Sequence, residues 1–423
     1  MLIKLPYGKG EKILNLPDER VEGVLTSRVE DYQPPGSQLE LVKKALREPV
    51  GSRFLNELVV DKDRIVIISS DHTRPVPSQL TMPLLLDEIR AGNPQADITI
   101  LVATGFHRAS TAEELRDKYG SEIVKNERIV VHDCSDQSMM VKLGTLPSGG
   151  ELLLNRLAVE ADLLIAEGFI EPHFFAGFSG GRKSILPGIA SKETVLANHC
   201  AEFIDHQKAR TGILDGNPLH RDMLYAAEKA GLDFILNVIL DGKKEIIEAV
   251  AGDSKKAHLK GCKFLDALAG VERKQAGIVI TTNGGYPLDQ NIYQAVKGMT
   301  AAEAVCKENG VIIMLAECSD GHGGEGFYNT FARVEKVEAV MEDILSRDRH
   351  ETIPDQWESQ VLARILMHHT VIMISDLAEV LIKDMHMQKA ANLEQAVIMA
   401  GNIIGNQQSK ITVIPDGVAV IVR

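Results

Sequence analysis

The 423-residue sequence has few cysteines, a single tryptophan and no long hydrophobic run. Its five cysteines form no Cys-x-x-Cys pair, which argues against a thiolate zinc site and against a disulfide framework. No stretch reaches the roughly 18 apolar residues that a membrane-spanning helix needs. The first residues also lack the basic segment and apolar stretch of a signal peptide. We therefore expect a protein of the reducing cytoplasm with no membrane partner.

Positive charge is also in short supply. The chain has 46 Lys and Arg residues against 59 Asp and Glu residues, a formal net charge of -13. No chain-wide field attracts nucleic acid or anionic lipid, so an anionic substrate would need local cations. The remaining composition, 44% hydrophobic and 25% charged, is ordinary for a globular protein. The length predicts about two domains with a cleft between them.

Short, β-branched apolar runs alternate with amphipathic segments along the chain. Such runs are typical of strands buried on both faces of a parallel sheet. They occur at 64–70, 97–103, 128–132 and 162–167, and again at 277–282, 311–315, 371–375 and 411–415. We predict an α/β fold of two α/β domains with mostly parallel sheets and an active-site cleft between them. The charged stretch at 272–276 sets the expected boundary, giving domains 1–272 and 273–423, the second Rossmann-like.

Polar motifs follow the first two predicted strands. Asp71-His-Thr-Arg-Pro75 comes after one and Thr104-Gly-Phe-His107 after the next. Ligands bind at the carboxyl ends of strands in open α/β sheets, so these positions favour a binding site. A loop ion pair between Asp71 and Arg74, and a hydrogen-bonded loop histidine at His107, are the structural alternatives.

The segment after the fourth strand, Glu167 to Gly188, is rich in glycine and can form an anion-binding concavity. It nearly matches a P-loop, but Arg182 stands where the second glycine of that motif is required before Lys183-Ser184. A large side chain there would prevent the loop from closing tightly around a phosphate group, which argues against a conventional nucleoside triphosphatase. No G-x-G-x-x-G follows the first strand, which argues against a nicotinamide enzyme.

His199 ends a short predicted helix and is a candidate metal ligand, although a lone histidine is more often structural. His107, His173 and His199 form no H-E-x-x-H or similar cluster. A metallohydrolase would require all three imidazoles on one metal. Any other metal site would need ligands from elsewhere, including a cofactor.

The second half carries Tyr293-Gln-Ala-Val-Lys297, whose tyrosine and lysine would share one face of a helix. Lys297 and Arg74 together could bind a carboxylate, or the two residues could be a surface lysine and a core tyrosine. Asp320-Gly-His-Gly-Gly-Glu-Gly326 has the composition of a close-approach loop, with no chemistry assigned. Trp357, the single tryptophan, either walls the cleft or packs in the core.

These motifs in combination resemble the family of lactate racemases that use a nickel-pincer nucleotide, over essentially the whole chain. The resemblance implies a pyridinium mononucleotide that holds nickel through two sulfurs and a ring carbon. It implies that Lys183 is joined to this cofactor through a thioamide and that His199 is the nickel ligand. It further implies cofactor contacts from Asp71, Gly180, Gly181 and Arg182. Sulfur, carbon and imidazole ligands suit nickel in a tetragonal geometry.

The resemblance also implies an isomerase that carries out proton-coupled hydride transfer. His107 and His173 would be the paired acid and base, and the first domain would carry both together with the cofactor. The implied substrate pocket, completed by the second domain, consists of Arg74, Tyr293, Gln294, Lys297 and Trp357.

The resemblance implies that the substrate is lactate, interconverted between its enantiomers through bound pyruvate. The apolar run Phe174 to Phe178 favours a small substituent such as methyl. Cofactor-biosynthesis enzymes are the implied maturation partners, and the oligomeric state stays undetermined. The alternatives are a racemase or epimerase of malate, a longer-chain acid or a sugar acid, a nicotinamide-dependent dehydrogenase, and a non-catalytic nucleotide-binding protein.

Overall fold

The computed structural model describes residues 1–423 as an α/β structure built on two six-stranded sheets. The strands are β1 (Leu2–Tyr7), β2 (Gly10–Asn15), β3 (Val21–Val24), β4 (Arg64–Ser70), β5 (Asp97–Ala103), β6 (Arg128–Val131), β7 (Met140–Thr145), β8 (Glu151–Asn155), β9 (Leu163–Phe169), β10 (Pro172–His173), β11 (Gly177–Phe178), β12 (Leu232–Leu240), β13 (Ile246–Gly252), β14 (Gly270–Val271), β15 (Ala276–Thr282), β16 (Cys306–Leu315), β17 (Thr370–Ile374), β18 (Gln388–Lys389), β19 (Ile411–Ile414) and β20 (Ile421–Val422).

The helices cover both faces of these sheets. They are α1 (Gln38–Arg47), α2 (Leu55–Leu58), α3 (Ser78–Gly92), α4 (Ala112–Tyr119), α5 (Ser121–Asn126), α6 (Arg156–Val159), α7 (Lys192–Asn198), α8 (Ala201–Asp205), α9 (Pro218–Ala230), α10 (Lys256–Ala269), α11 (Ile292–Glu303), α12 (Glu325–Ala332), α13 (Val337–Ser346), α14 (Gln356–His368), α15 (Glu379–Asp384) and α16 (Leu393–Ile404). None of them is long and apolar enough to cross a membrane.

The first sheet has the strand order β13-β12-β9-β4-β5-β6, and only the β12–β13 pair is antiparallel. The second sheet has the order β18-β17-β16-β15-β19-β3 and is entirely parallel. The central strands are buried almost without a break, as their continuous apolar runs predicted. The α/β class with mostly parallel sheets is therefore confirmed.

The N-terminal segment departs from the expected division of the chain. We predicted that residues 1–272 form one domain, but β3 pairs with β19 at the edge of the second sheet. The β1–β2 hairpin packs beside it, since Leu5 and Leu14 belong to the same apolar cluster as Ile278 and Val413. The alternating burial of the hairpin requires cover on one face only, and the second sheet provides it.

The largest apolar cluster joins the two halves. It contains 69 buried residues, drawn from the loops after β9 as well as from β15, β16 and α11. β20 also returns to pair with β14 at the junction. The carboxyl ends of β4, β5 and β9 are thereby brought opposite α11 and α14, which places the motifs that follow those strands at one cavity.

Candidate active site

A cavity of about 510 Å³ lies between the two halves. Every candidate site residue of the sequence analysis lines it except Arg182. The first half contributes Asp71, Arg74, His107, His173, Gly180, Gly181, Lys183 and His199, and the second half contributes Tyr293, Gln294, Lys297 and Trp357. The cavity is thus formed by residues that are far apart in sequence.

His107 is held by a buried carboxylate. Its Nδ1 atom lies 2.7 Å from Oδ2 of Asp71, which is 1% exposed. The Thr73 hydroxyl donates to the other oxygen of Asp71 at 2.6 Å. Burial raises the pKa of Asp71, but the hydrogen bonds from His107 and Thr73 outweigh it and lower the pKa below its ordinary value. Asp71 therefore orients His107 as a carboxylate, and it also lines the cavity, where the sequence predicts a cofactor contact. With Nδ1 held, Nε2 is the nitrogen available for proton transfer.

His173 follows β9 in the short strand β10, and its ring packs against two phenylalanines. The ring of Phe174 is stacked on it at 5.2 Å, and that of Phe175 meets it edge-on at 4.5 Å. Nε2 of His173 lies 3.3 Å from Nζ of Lys183. Burial and the neighbouring Lys183 lower the pKa of His173 well below its ordinary value. The imidazole is therefore neutral at pH 7.

Lys183 extends into the cavity from the short 3-10 helix Gly181–Ser184. Burial, reinforced by the charges of Arg182 and Arg74, lowers its pKa well below the ordinary value. A lowered pKa increases the fraction of neutral, nucleophilic amine, so the environment suits Lys183 for a covalent bond to a bound group.

Arg182, the residue that breaks the P-loop pattern, lies behind the glycine-rich loop and is 1% exposed. Its guanidinium donates to the carbonyl oxygens of Ala176 and Phe178 at 2.8 and 2.7 Å. It also lies 2.9 Å from Nδ1 of His220 and 3.1 Å from Nε2 of His258. The side chain therefore supports the loop from the inside and does not contact the cavity, unlike the cofactor contact expected from the sequence.

The glycine-rich loop packs closely against neighbouring residues at Gly180, which has a φ of 76°. A Cβ atom there would lie 2.8 Å from both the Phe169 carbonyl and Oδ1 of Asn237. Asn237 also accepts from the Gly181 amide at 2.8 Å. Both glycines thus keep the backbone close to the sheet while leaving the cavity side open.

His199 caps the end of α7 and points into the cavity from its wall. Its Nδ1–H donates to the Val195 carbonyl at 3.0 Å, which leaves Nε2 with a free lone pair. Burial and the charge of Lys183 lower its pKa to about 3, so the ring is neutral. No group of three His, Cys, Asp or Glu residues could hold a metal. A single neutral imidazole therefore fits a metal that arrives with its other ligands, and a three-histidine hydrolase site is not present.

The opposite wall is built by α11 and α14. The Tyr293 hydroxyl donates to Asp355 at 2.9 Å, and Nζ of Lys297 donates to Oε1 of Gln294 at 2.6 Å. Arg74, on the loop after β4, is exposed and faces the same cavity. Arg74 and Lys297 are thus two cations at one cavity in an acidic protein, an arrangement suited to a carboxylate.

Trp357 makes aromatic contacts across the cavity. Its ring centroid lies 5.0 Å from that of His199 and 6.2 Å from that of Phe106. The tryptophan therefore walls the cleft, as one of the two interpretations of the sequence expected.

Sequence reasoning missed Glu358, which lines the cavity beside Trp357 and is 1% exposed. Burial raises its pKa to about 8, although Lys297 opposes the rise. Its Oε1 atom has no hydrogen-bond partner. An acid in the first turn of a helix is commonplace because it suits the helix dipole, so the sequence carried no signal for this residue.

Known proteins resemble this chain along its whole length. A family model for the lactate racemase N-terminal domain matches residues 7–212, and one for the lactate racemase C-terminal domain matches residues 271–422. The lactate racemase of Thermoanaerobacterium thermosaccharolyticum is 59% identical and that of Lactiplantibacillus plantarum 56% identical, each over 100% of this chain and 99% of the relative.

Solved structures agree with these matches. The lactate racemase apoprotein from T. thermosaccharolyticum superposes with a TM-score of 0.97 and covers 100% of both chains. A Thermotoga maritima protein with 19% identity has a TM-score of 0.65 over 93% of this chain and 100% of its own, which shows a shared fold.

Proposed function

The chain belongs to the lactate racemase family and is therefore an isomerase, and from this premise we propose that it interconverts L- and D-lactate through bound pyruvate, with a nickel-pincer nucleotide attached at Lys183. The observation that carries the proposal is the pair of imidazoles, His107 and His173, which line one cavity together with two cations. An enzyme that converts either enantiomer needs a proton acceptor for each direction of the hydroxyl group.

The carboxylate of lactate would bind between Arg74 and Lys297. Both cations line the cavity, and Gln294 holds the lysine ammonium in place at 2.6 Å. Two donors on opposite sides of a carboxylate fix its orientation, which is what a reaction at the adjacent carbon requires. The carboxylate would remain bound while the planar pyruvate turns its other face.

The two histidines would divide the proton transfer. His107, held by Asp71, accepts the hydroxyl proton of one enantiomer, and the carboxylate stabilises the resulting imidazolium. When carbon 2 of pyruvate is reduced on its other face, His173 supplies the proton to the oxygen. His173 would have to carry that proton when the step begins, so proton exchange with solvent between turnovers would return His107 to its neutral form and protonate His173. For the opposite enantiomer the two histidines would exchange roles.

The residues around Lys183 and His199 fit a tethered nickel cofactor. The Lys183 amine, whose pKa is lowered by burial, would form the covalent link, and the free Nε2 atom of His199 would bind nickel. When bound, the group supplies the acceptor and donor of hydride for carbon 2. Enzymes that make this cofactor would be the maturation partners, and the reducing cytoplasm would be the place of assembly.

The surroundings favour a small apolar substituent on the substrate. Phe174, Phe175 and Trp357 line the cavity. A methyl group can pack against such rings, whereas a second carboxylate would lose its hydration against them.

Chiral chromatography of L-lactate tests the proposal directly. The protein is produced together with cofactor-biosynthesis enzymes, loading is verified by intact mass, and no nicotinamide cofactor is added. We expect the two enantiomers to approach equal amounts, with no conversion by His107→Ala or His173→Ala. Fully loaded protein that leaves L-lactate unchanged would reject lactate as the substrate, and malate, longer 2-hydroxy acids and sugar acids would be assayed next.

A further inference from the structure

A glycine-rich segment of the second half borders the cavity without a part in the chemistry above. Residues 320–324, here called the glycine brace, lie between β16 and α12, and Gly323 lines the cavity. The brace runs alongside the first turn of α11, the helix that carries Tyr293, Gln294 and Lys297.

The brace supplies hydrogen-bond acceptors to the start of this helix. The Ile292 amide donates to the Gly321 carbonyl at 3.4 Å, and the Tyr293 amide donates to the His322 carbonyl at 3.2 Å. The first amides of a helix have no partner within the helix. Here a separate segment of the chain provides those partners, so the brace and the helix start form one unit.

The helix cap is tied to the same segment. Oδ1 of Asn291 accepts from the Gln294 amide at 2.9 Å, and Nδ2 of Asn291 donates to Oδ2 of Asp320 at 3.3 Å. One side chain thus caps α11 and connects it to the brace.

The brace is itself anchored at both ends. The Asp320 amide donates to the Gln290 carbonyl at 2.7 Å. The ring of His322 stacks on Tyr328 of α12 at 4.7 Å, and its Nδ1 accepts from the Gly324 amide at 3.2 Å. Its position relative to α11 is therefore fixed from two sides.

Gly323 of the brace lies directly against the start of α11. Its φ is +93°, and a Cβ atom there would lie 2.5 Å from Cβ of Tyr293 and 3.0 Å from Cγ of Asn291. These atoms are close to the helix backbone and cannot swing away. Any side chain at Gly323 must displace either the brace or α11.

We propose that the glycine brace is a positioning element that sets α11 at the substrate side of the cavity, and that Gly323 is the position at which it must be free of a side chain. The inference rests on the proposed function, because α11 carries the residues assigned there to the substrate. Cofactor attachment depends on the other half of the cavity, so a displaced α11 should weaken substrate binding and leave the tether intact.

The test compares Gly323→Ala with wild type as cofactor-loaded protein. We expect KM for lactate to rise at least about 10-fold, kcat to stay within about 3-fold, and the cofactor mass to be unchanged. Gly405→Ala is the matched control, because Gly405 has a φ of +73°, ends α16 and has nothing within 4 Å of an added Cβ. It should lose stability through the same backbone strain without a change in KM.

Gly321→Ala separates strain from displacement within the brace. Gly321 has a φ of +74° and no atom within 4 Å of an added Cβ, so its effect on KM should be clearly smaller than that of Gly323→Ala. Equal KM values for Gly323→Ala and wild type, or an equal rise in Gly405→Ala, would overturn the proposal. A loss confined to kcat would do the same.

Hydrogen exchange gives a second readout that does not depend on turnover. In Gly323→Ala the amides of Ile292 and Tyr293 should exchange at least about 10-fold faster than in wild type, and in Gly405→Ala they should not. If loaded wild type fails to racemise lactate, the proposed function fails while exchange still decides the role of the brace. Unchanged exchange would show that the brace does not hold α11.

If Gly323→Ala does not fold, two less disruptive variants at Asp320 test the proposal instead. Asp320→Ala removes the acceptor for Asn291 and should raise KM about 3-fold, whereas Asp320→Asn keeps an oxygen acceptor and should restore most of the affinity. Wild-type KM in Asp320→Ala, with Gly323→Ala unable to fold, would count against a positioning role.

Discussion

Asp71 and His107 form a hydrogen bond of 2.7 Å between two loops that follow neighbouring parallel strands, 36 residues apart in sequence. The bond fixes the plane of the imidazole and the nitrogen that faces the cavity. It also places a negative charge where an imidazolium would form during the reaction. This contact gives Asp71 the role of orienting His107, which neither residue alone indicates.

Asp71→Asn should lower kcat for lactate about 100-fold or more and leave the cofactor mass unchanged, since an amide keeps the shape but not the charge that supports the imidazolium. Steady-state racemisation rates and intact mass measure the two effects. Thr73→Val is the comparison, because Thr73 donates to Asp71 without carrying its charge, and we expect a loss below about 10-fold. A variant that keeps its rate per loaded molecule but loses cofactor would instead assign Asp71 to cofactor binding.

Lys183→Arg should abolish the covalent attachment. Arginine keeps a positive charge but cannot present a neutral amine, so protein produced with the biosynthesis enzymes should have the mass of the unmodified chain. Lys192→Arg, a change at an exposed lysine at the start of α7, should load normally. A covalent adduct of unchanged yield in Lys183→Arg would move the tether to another residue.

Arg182→Lys should destabilise the protein and reduce loading, although Arg182 does not touch the cavity. A single ammonium cannot replace a guanidinium shared among loop carbonyls and two histidines, and the loss should lower the unfolding midpoint by at least about 5 °C. Arg108→Lys is the control, because Arg108 is exposed and pairs only with Glu114 among carboxylates. Differential scanning calorimetry measures the unfolding midpoints of the two apoprotein variants. Equal midpoints would show that the stability of the loop does not depend on Arg182.

Glu358→Gln should change how stability depends on pH. The pKa of Glu358 is raised to about 8 in the folded protein, so the folded state keeps a proton that the unfolded chain releases near pH 4.5. Its contribution is fully present below about pH 4.5 and is lost as pH rises towards 8. Glu358→Gln has no carboxyl group to ionise at this position, so the variant does not lose this stability as pH rises.

The unfolding midpoint of Glu358→Gln minus that of wild type should therefore increase by at least about 2 °C between pH 5 and pH 9. Asp355→Asn removes a neighbouring but exposed carboxylate and should show a smaller dependence. A difference that stays constant with pH would mean that Glu358 is already ionised at pH 5.

The sheets and the strand-end motifs were predictable because their signals are local. Apolar runs such as 64–70 fix a buried strand, and the topology of parallel sheets then brings the residues after those strands to one edge. The Thr111 capping box likewise identifies the start of a helix from four consecutive residues, and α4 begins there.

The structural features that could not be predicted from the sequence depend on contacts between distant segments of the chain. The pairing of β3 with β19 follows from an open sheet edge in the second half. The position of Arg182 follows from His220 and His258, neither of which carries a motif. The support that Arg182 gives to the glycine-rich loop and that Asp71 gives to His107 is visible only in their side-chain partners.

Trp357 gives the protein an optical signal of its own. It is the single tryptophan of the chain, it comes from the second half, and its ring meets His199 and Phe106 of the first half. All tryptophan emission therefore originates at the seam between the halves, where an imidazole and a ring can alter its intensity. Stopped-flow fluorescence can follow the approach of the two halves and the arrival of a ligand in unlabelled protein, with no second fluorophore of its type to obscure the signal.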